Sequence, residues 1–136
     1  MSYGAAAALQ AAIYQRLAGD AVLNALVNGA VHDALPPGPL PPLYVSLGPE
    51  DARDRSDKTG AGALHKFTVS VVSSTAGFGA AKAAAAAVSD ALTDVDLTLA
   101  RGALVSLTFD RARARREGDG NIRRIDLTFR ARVDDQ

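Results

Sequence analysis

Val105-Ser106-Leu107-Thr108-Phe109-Asp110 and, beyond Glu117-Gly118-Asp119-Gly120, Ile125-Asp126-Leu127-Thr128-Phe129-Arg130-Ala131-Arg132-Val133 are the residues whose reading decides the fold. In the first run Val105, Leu107 and Phe109 alternate with Ser106, Thr108 and Asp110. In the second, Ile125, Leu127, Phe129, Ala131 and Val133 alternate with Asp126, Thr128, Arg130 and Arg132. Successive side chains of a strand point to opposite faces, so a period of two separates an apolar face from a polar one. Two such runs about a glycine-rich turn read as an antiparallel hairpin, buried on one face and wet on the other.

Upstream of this hairpin, Leu97-Thr98-Leu99 reads as a short strand turned at Arg101-Gly102. Before it, Phe78, Ala81, Ala85, Val88 and Leu92 form one stripe of a helix from about Phe78 to Thr93, whose alanines allow close approach to a sheet. Leu64 to Ser73 is a strand with Phe67, Val69 and Val71 on one face and Thr68 and Ser70 on the other. Ahead of it, Pro49 to Gly62 carries Glu50, Asp51, Arg53, Asp54, Arg55, Asp57 and Lys58 and almost no large apolar side chain. Such a stretch cannot offset its own ordering by burial, so it is a long exposed loop or the tip of an extended hairpin.

Leu43 to Leu47 reads as a strand, entered through Pro36-Pro37-Gly38-Pro39-Leu40-Pro41-Pro42, which can neither be helix nor donate into a sheet. Val31 to Ala34 is a further short strand. At the N-terminus, Leu9, Ile13 and Leu17 recur every four residues in a helix from Ala5 to Ala18. Gly19 stops it, as a residue that tolerates left-handed geometry. Asp20 then caps a second helix, Ala21 to Val27, which ends at Asn28-Gly29. The order α-α-β-β-β-α-β-β lacks the regular alternation of a parallel sheet. It predicts an α+β fold: one domain over residues 1–136, with an antiparallel or mixed sheet covered on one face by helices.

Composition bounds what such a domain does. The chain has 136 residues, long enough for a core, and 48% are hydrophobic; 28 of these are alanine, and 5% of the chain is aromatic. Large side chains are therefore few, and an oligomer interface would be a natural source of further stability. Formal net charge is zero, which gives no general pull toward nucleic acid or an anionic membrane. The halves differ: from Arg101 onward nine arginines face six acids, and before it six bases face nine acids. That bias suits head-to-tail contacts between copies. The lack of cysteine excludes disulfides, thiolate metal sites and cysteine nucleophiles. The N-terminus lacks a basic n-region and is not read as a signal peptide, and no segment approaches a membrane span.

The sequence offers little chemistry. His32 beside Asp33 suggests an oriented base, but no serine, cysteine or second histidine at motif spacing completes a triad, so an ordinary strand-edge residue is the better reading. His65 beside Lys66 has no second metal-type ligand at a regular spacing. Gly77-Phe78-Gly79 precedes a helix, yet has no third glycine and no Gly-Lys-Ser/Thr, and reads as a flexible turn. The acids of residues 49–62 alternate with bases and lack the ligand succession of a calcium loop. No cofactor, metal or catalytic residue is expected. Arg111, Arg113, Arg115 and Arg116, with Arg123 and Arg124 across the turn, form a basic hairpin tip. No aromatic is interleaved for base stacking, and Glu117, Asp119 and Asp126 dilute the charge, which favours a protein contact. The alternative is a nucleic-acid- or small-ligand-binding module on the same hairpin.

Several stretches, taken in order, resemble the tail-completion or tail-terminator proteins of long-tailed phages, prophages and gene transfer agents. They are Ala8-Leu9-Gln10-Ala11-Ala12-Ile13-Tyr14-Gln15-Arg16-Leu17, Ala25-Leu26-Val27-Asn28-Gly29 and Val31-His32-Asp33. The proline-rich approach to Leu43-Tyr44-Val45-Ser46-Leu47-Gly48 follows, then Lys58-Thr59-Gly60 before His65-Lys66-Phe67-Thr68-Val69-Ser70-Val71. Ala80-Ala81-Lys82 and Leu104-Val105-Ser106-Leu107 complete the set. The resemblance implies a structural virion part and not an enzyme: a ring of identical copies, a homohexamer, at the head-proximal end of the tail tube. It would be assembled in the bacterial cytoplasm, would end tube polymerisation and would join tail to head. Its implied partners are further copies, the major tail tube protein and a head connector or stopper protein, with DNA passing through unread and no membrane. Glu50, Asp51, Arg53, Asp54, Arg55, Asp57 and Lys58, together with the six arginines of the hairpin, are then the expected contact residues.

Overall fold

A computed structural model of the chain describes residues 3–55 and 62–135, which form three helices and one five-stranded sheet. Helices α1 (Ala6–Ala18) and α2 (Ala21–Val27) lead into β1 (Val31–His32), β2 (Leu43–Asp54) and β3 (Gly62–Ser73). Helix α3 (Gly79–Leu92) follows, then β4 (Ala103–Glu117) and β5 (Ile122–Asp134). This is the expected α+β order. The sheet runs β1-β2-β3-β5-β4; β1 lies parallel to β2 and every other pair is antiparallel, so of the two alternatives it is the mixed sheet that forms.

The helical hairpin is set by local chemistry. Leu9, Ile13 and Leu17 bury the α1 stripe, and the Asp20 carboxylate caps α2 by accepting from the Leu23 N–H at 2.9 Å. Asn24 Nδ2 donates to the Ala18 and Asp20 carbonyls at 2.6 and 2.8 Å, tying the turn together. Gly19 keeps a right-handed φ of −91°; the left-handed residues stand one helix later, at Asn28 (φ 52°) and Gly29 (φ 76°). The tight turn after α1 is therefore held by side-chain bonds and not by glycine geometry.

Helices cover one face of the sheet. On that inner face Val45, His65, Phe67, Val69, Val71, Ile125, Leu127, Phe129, Ala131 and Val133 are buried, as the alternation in β3 and β5 requires. Phe129 lies at the centre, stacked on Phe67 at 5.6 Å and edge-on to Phe109 at 5.8 Å. Ala81, Ala84, Ala85, Ala87 and Ala91 are buried on α3, so the helix sits close to the sheet through methyl groups.

Two stretches depart from the sequence expectation, and a third takes one of its two alternatives. Leu97-Thr98-Leu99 makes no strand; Leu99 is buried as an anchor of the connection into β4. Residues Glu50 to Asp54 are not loop: they continue β2 against Phe67 back to Ala63, so the hairpin alternative is the one realised. The pairing of β3 with β5 supplies the ordering that these charged residues cannot supply themselves. Finally, β4 does not alternate simply. Val105 and Asp110 are extra residues at register shifts, and Val105 and Phe109 remain 55% and 45% exposed. The bulge displaces Val105, while Phe109 keeps the inner phase opposite Phe129 on the edge strand, so only Leu107 of the expected apolar face is buried.

Candidate functional site

The bulge at Asp110 decides where the arginines go. Leu107 and Phe109 pair with Ala131 and Phe129 on the inner face, whereas beyond Asp110 it is Ala112 and Ala114 that pair with inner Leu127 and Ile125. Arg111, Arg113 and Arg115 consequently pair with Thr128, Asp126 and Arg124 on the outer face, which no helix covers. The register brings other charges to that face. Asp51 and Arg53 come from β2, Lys66 from β3, and Arg124, Asp126, Arg130, Arg132 and Asp134 from β5. With Asp110 and Glu117 at the two ends of the arginine ladder, eight basic side chains meet five acidic ones. The alternation in β5 already placed Arg130 and Arg132 on the wet face; only pairing shows that Lys66 and Arg53 join them.

Asp126 organises one half of this surface. Its Oδ1 accepts from the Ser70 hydroxyl at 2.6 Å and from Arg124 Nε at 3.0 Å, and its Oδ2 accepts from Arg115 Nη1 at 2.8 Å. Burial pushes the Asp126 carboxyl up, but the Ser70 hydroxyl and the Arg124 and Arg115 guanidinium groups outweigh it and hold the group below its ordinary value. Glu117 also binds Arg115, at 3.2 Å. In the other half, Asp110 sits 3.0 Å from Arg130 and 4.0 Å from Lys66. Arg115 and Arg124 are thus neutralised locally. The side chains of Arg111 and Arg113 are exposed and make no hydrogen bond or ion pair among the described residues. Between the two halves lies an open hollow of about 530 Å³, lined by Thr68, Ser70 and Thr128 as well as the charges.

The remaining expected contact residues divide. Arg123 points inward: Nη1 donates to the Thr75 carbonyl at 3.0 Å, and the guanidinium lies 5.8 Å from the Phe78 ring, clasping the turn into α3. Arg116 is exposed. Glu50 is not a projecting charge, because the shift between Leu47 and Glu50 turns it inward. Its carboxylate accepts from Tyr3 at 2.6 Å and stands 3.0 Å from His65 Nδ1, and this bond pushes the Tyr3 phenol up. Asp51 and Arg53 are exposed and 3.6 Å apart; Asp54 and Arg55 are exposed at the strand end. Asp57 and Lys58 lie outside the described residues.

Among the described residues the histidines and acids weighed as catalytic groups are not brought together. By register His32 stands on the outer face and His65 on the inner one, while Asp33 is held by Gln10. No group of three metal-type ligands comes together among the described residues. A small, partly open cavity between α1 and the sheet, lined by Leu9, Gln10, Ile13, Leu47, Glu50 and Phe67, holds about 20 Å³, room for a water molecule. Gly77, at φ 74°, makes the turn before α3.

The geometry is that of a contact surface, and comparison with known proteins gives it a context. The family model for tail completion protein gp17 matches residues 11–134. The chain belongs to that family. Family membership makes it a structural component of phage-type tails. Among solved structures, a chain in the virion of a native gene transfer agent particle is 65% identical. The match covers 98% of this chain and 99% of that one, with a TM-score of 0.94. No curated protein matches the sequence. For a tail completion protein the question is then which surface meets which neighbour, and the outer sheet face is the most highly charged candidate.

Proposed function

We propose that six copies of the chain close into a ring on the head-proximal end of the tail tube, ending tube polymerisation and joining tail to head. The observation that carries this reading is the near full-length, 65% identical match to a chain of a gene transfer agent virion. The fold supports it. A small body with one bare, charged sheet face and an open β4 edge has more surface prepared for contact than an isolated domain needs. The tube protein and a head connector would take the two rims of the ring, with DNA passing through the middle without sequence reading. The sheet end at Asp54 and the turn at Glu117–Asn121, which lie at opposite ends of the strands, would meet these neighbours.

Native mass measurement of the purified chain tests the ring. A discrete species with the mass of six copies is expected. Monomer alone at millimolar concentration, together with tails of unchanged length and attachment when the gene is deleted, would contradict it.

A further inference from the structure

The chain as a whole is neutral, but unpaired charges of opposite sign stand at different places along β4. The outer sheet face holds the excess of basic groups, and at the β4 margin of that face Arg111 and Arg113 have no partner within the described residues. Acidic charge without partners collects elsewhere. Asp94 and Asp96, on the connection from α3 into β4, are exposed and make no ion pair or side-chain bond among the described residues. They line an open groove of about 330 Å³ along the first half of β4, together with Val95, Leu104, Val105 and Thr108. Val105, pushed out by its bulge, is the apolar side chain in that groove that stands 55% exposed.

The connection that carries these acids runs beside the first half of β4, against Leu104 to Thr108, whereas Arg111 and Arg113 stand on the outer face of its second half. No ion pair joins the two sets within one copy. Unsatisfied charges of opposite sign on different surfaces of one chain complement each other between copies. A basic face with no aromatic ladder, its hollow interrupted by Asp110 and Asp126, suits a protein surface with matching acids better than a duplex. We infer that the Asp94–Asp96 margin of one copy docks on the Arg111–Arg113 region of the outer sheet face of the next, with Val105 buried in the contact. Where the second copy offers its own margin to a third and not back to the first, the contact is head-to-tail and propagates until a ring closes. This rests on the ring reading above and gives it an interface.

A charge-swap experiment decides it, read by native mass measurement. Variant one is R111E/R113E; variant two is D94N/D96R, with asparagine at residue 94 because its φ of 52° is left-handed. All four side chains are exposed, and circular dichroism checks that both variants fold. Wild type is expected to form the ring, and each variant alone to assemble at least tenfold more weakly. An equimolar mixture should restore rings in which the variants alternate, since each interface then joins unlike charges. If wild type assembles and both variants do so equally well, this interface is wrong while the ring stands. A wild-type particle that stops at two copies overturns the head-to-tail contact. If R111E/R113E forms the normal ring but loses salt-sensitive binding of duplex DNA, the face belongs to nucleic acid and the inference falls. A wild type that stays monomeric removes the ring reading and this contact together.

Discussion

At the scale of residues, the fold depends on a few large side chains set among many alanines. Phe129 is fully buried between Phe67 and Phe109, and replacing it with alanine removes both ring contacts. Phe129→Ala should cost about 3–5 kcal/mol, a loss that urea denaturation would read directly. Asp126 acts on the other face. Its folded pKa lies below the unfolded one, so its contribution is present above the unfolded value and disappears as pH falls through the folded value. Stability should therefore decline below about pH 4, and Asp126→Asn should flatten that part of the profile of urea midpoint against pH. Neither role follows from composition. Phe129 was legible as a core residue because β5 alternates without interruption, whereas the partners of Asp126 come from three strands.

Elements were legible where one physical signal dominated them. Helices α1 and α2 have a four-residue stripe, a capping aspartate and a glycine stop, and the structure keeps their limits to within a residue. The limits of pattern reading show in β2 and β4. Glu50 to Asp54 have no apolar alternation, and they are ordered only by a partner strand that is remote in sequence from its own partner β5. In β4 the period of two is reset at Val105 and Asp110, and nothing local distinguishes a bulge residue from its neighbours. The arginines were therefore legible as a basic set, but not their division into outward Arg111 and Arg113, paired Arg115 and Arg124, and inward Arg123.

Two element-scale outcomes follow. Deleting Asp110 removes the extra residue and leaves Arg111, Arg113 and Arg115 opposite Thr128, Asp126 and Arg124, so it should lower the melting temperature little more than Asp110→Ala, which loses the same contacts with Arg130 and Lys66. On α3, Ala84 is fully buried and Ala86 is exposed. Ala84→Leu should cost about 1–3 kcal/mol by forcing helix and sheet apart, and Ala86→Leu should be near neutral by the same denaturation measurement.

At the scale of the whole molecule, a sheet covered on one side leaves a polar face of four long strands for other surfaces. Its strand edge at β4 is open, and arginines along an edge discourage indiscriminate strand pairing while leaving charge for a chosen partner. Sequence alone identified an assembly part by the order of soft motifs and by the lack of a catalytic constellation. Family membership and the gene transfer agent neighbour place that part in a tail. The most direct measurement of the central claim is the distribution of tail lengths, by electron microscopy, in particles made without this gene. The ring reading predicts tubes of uncontrolled length that do not join heads. Tails of normal length, attached to heads, would contradict it.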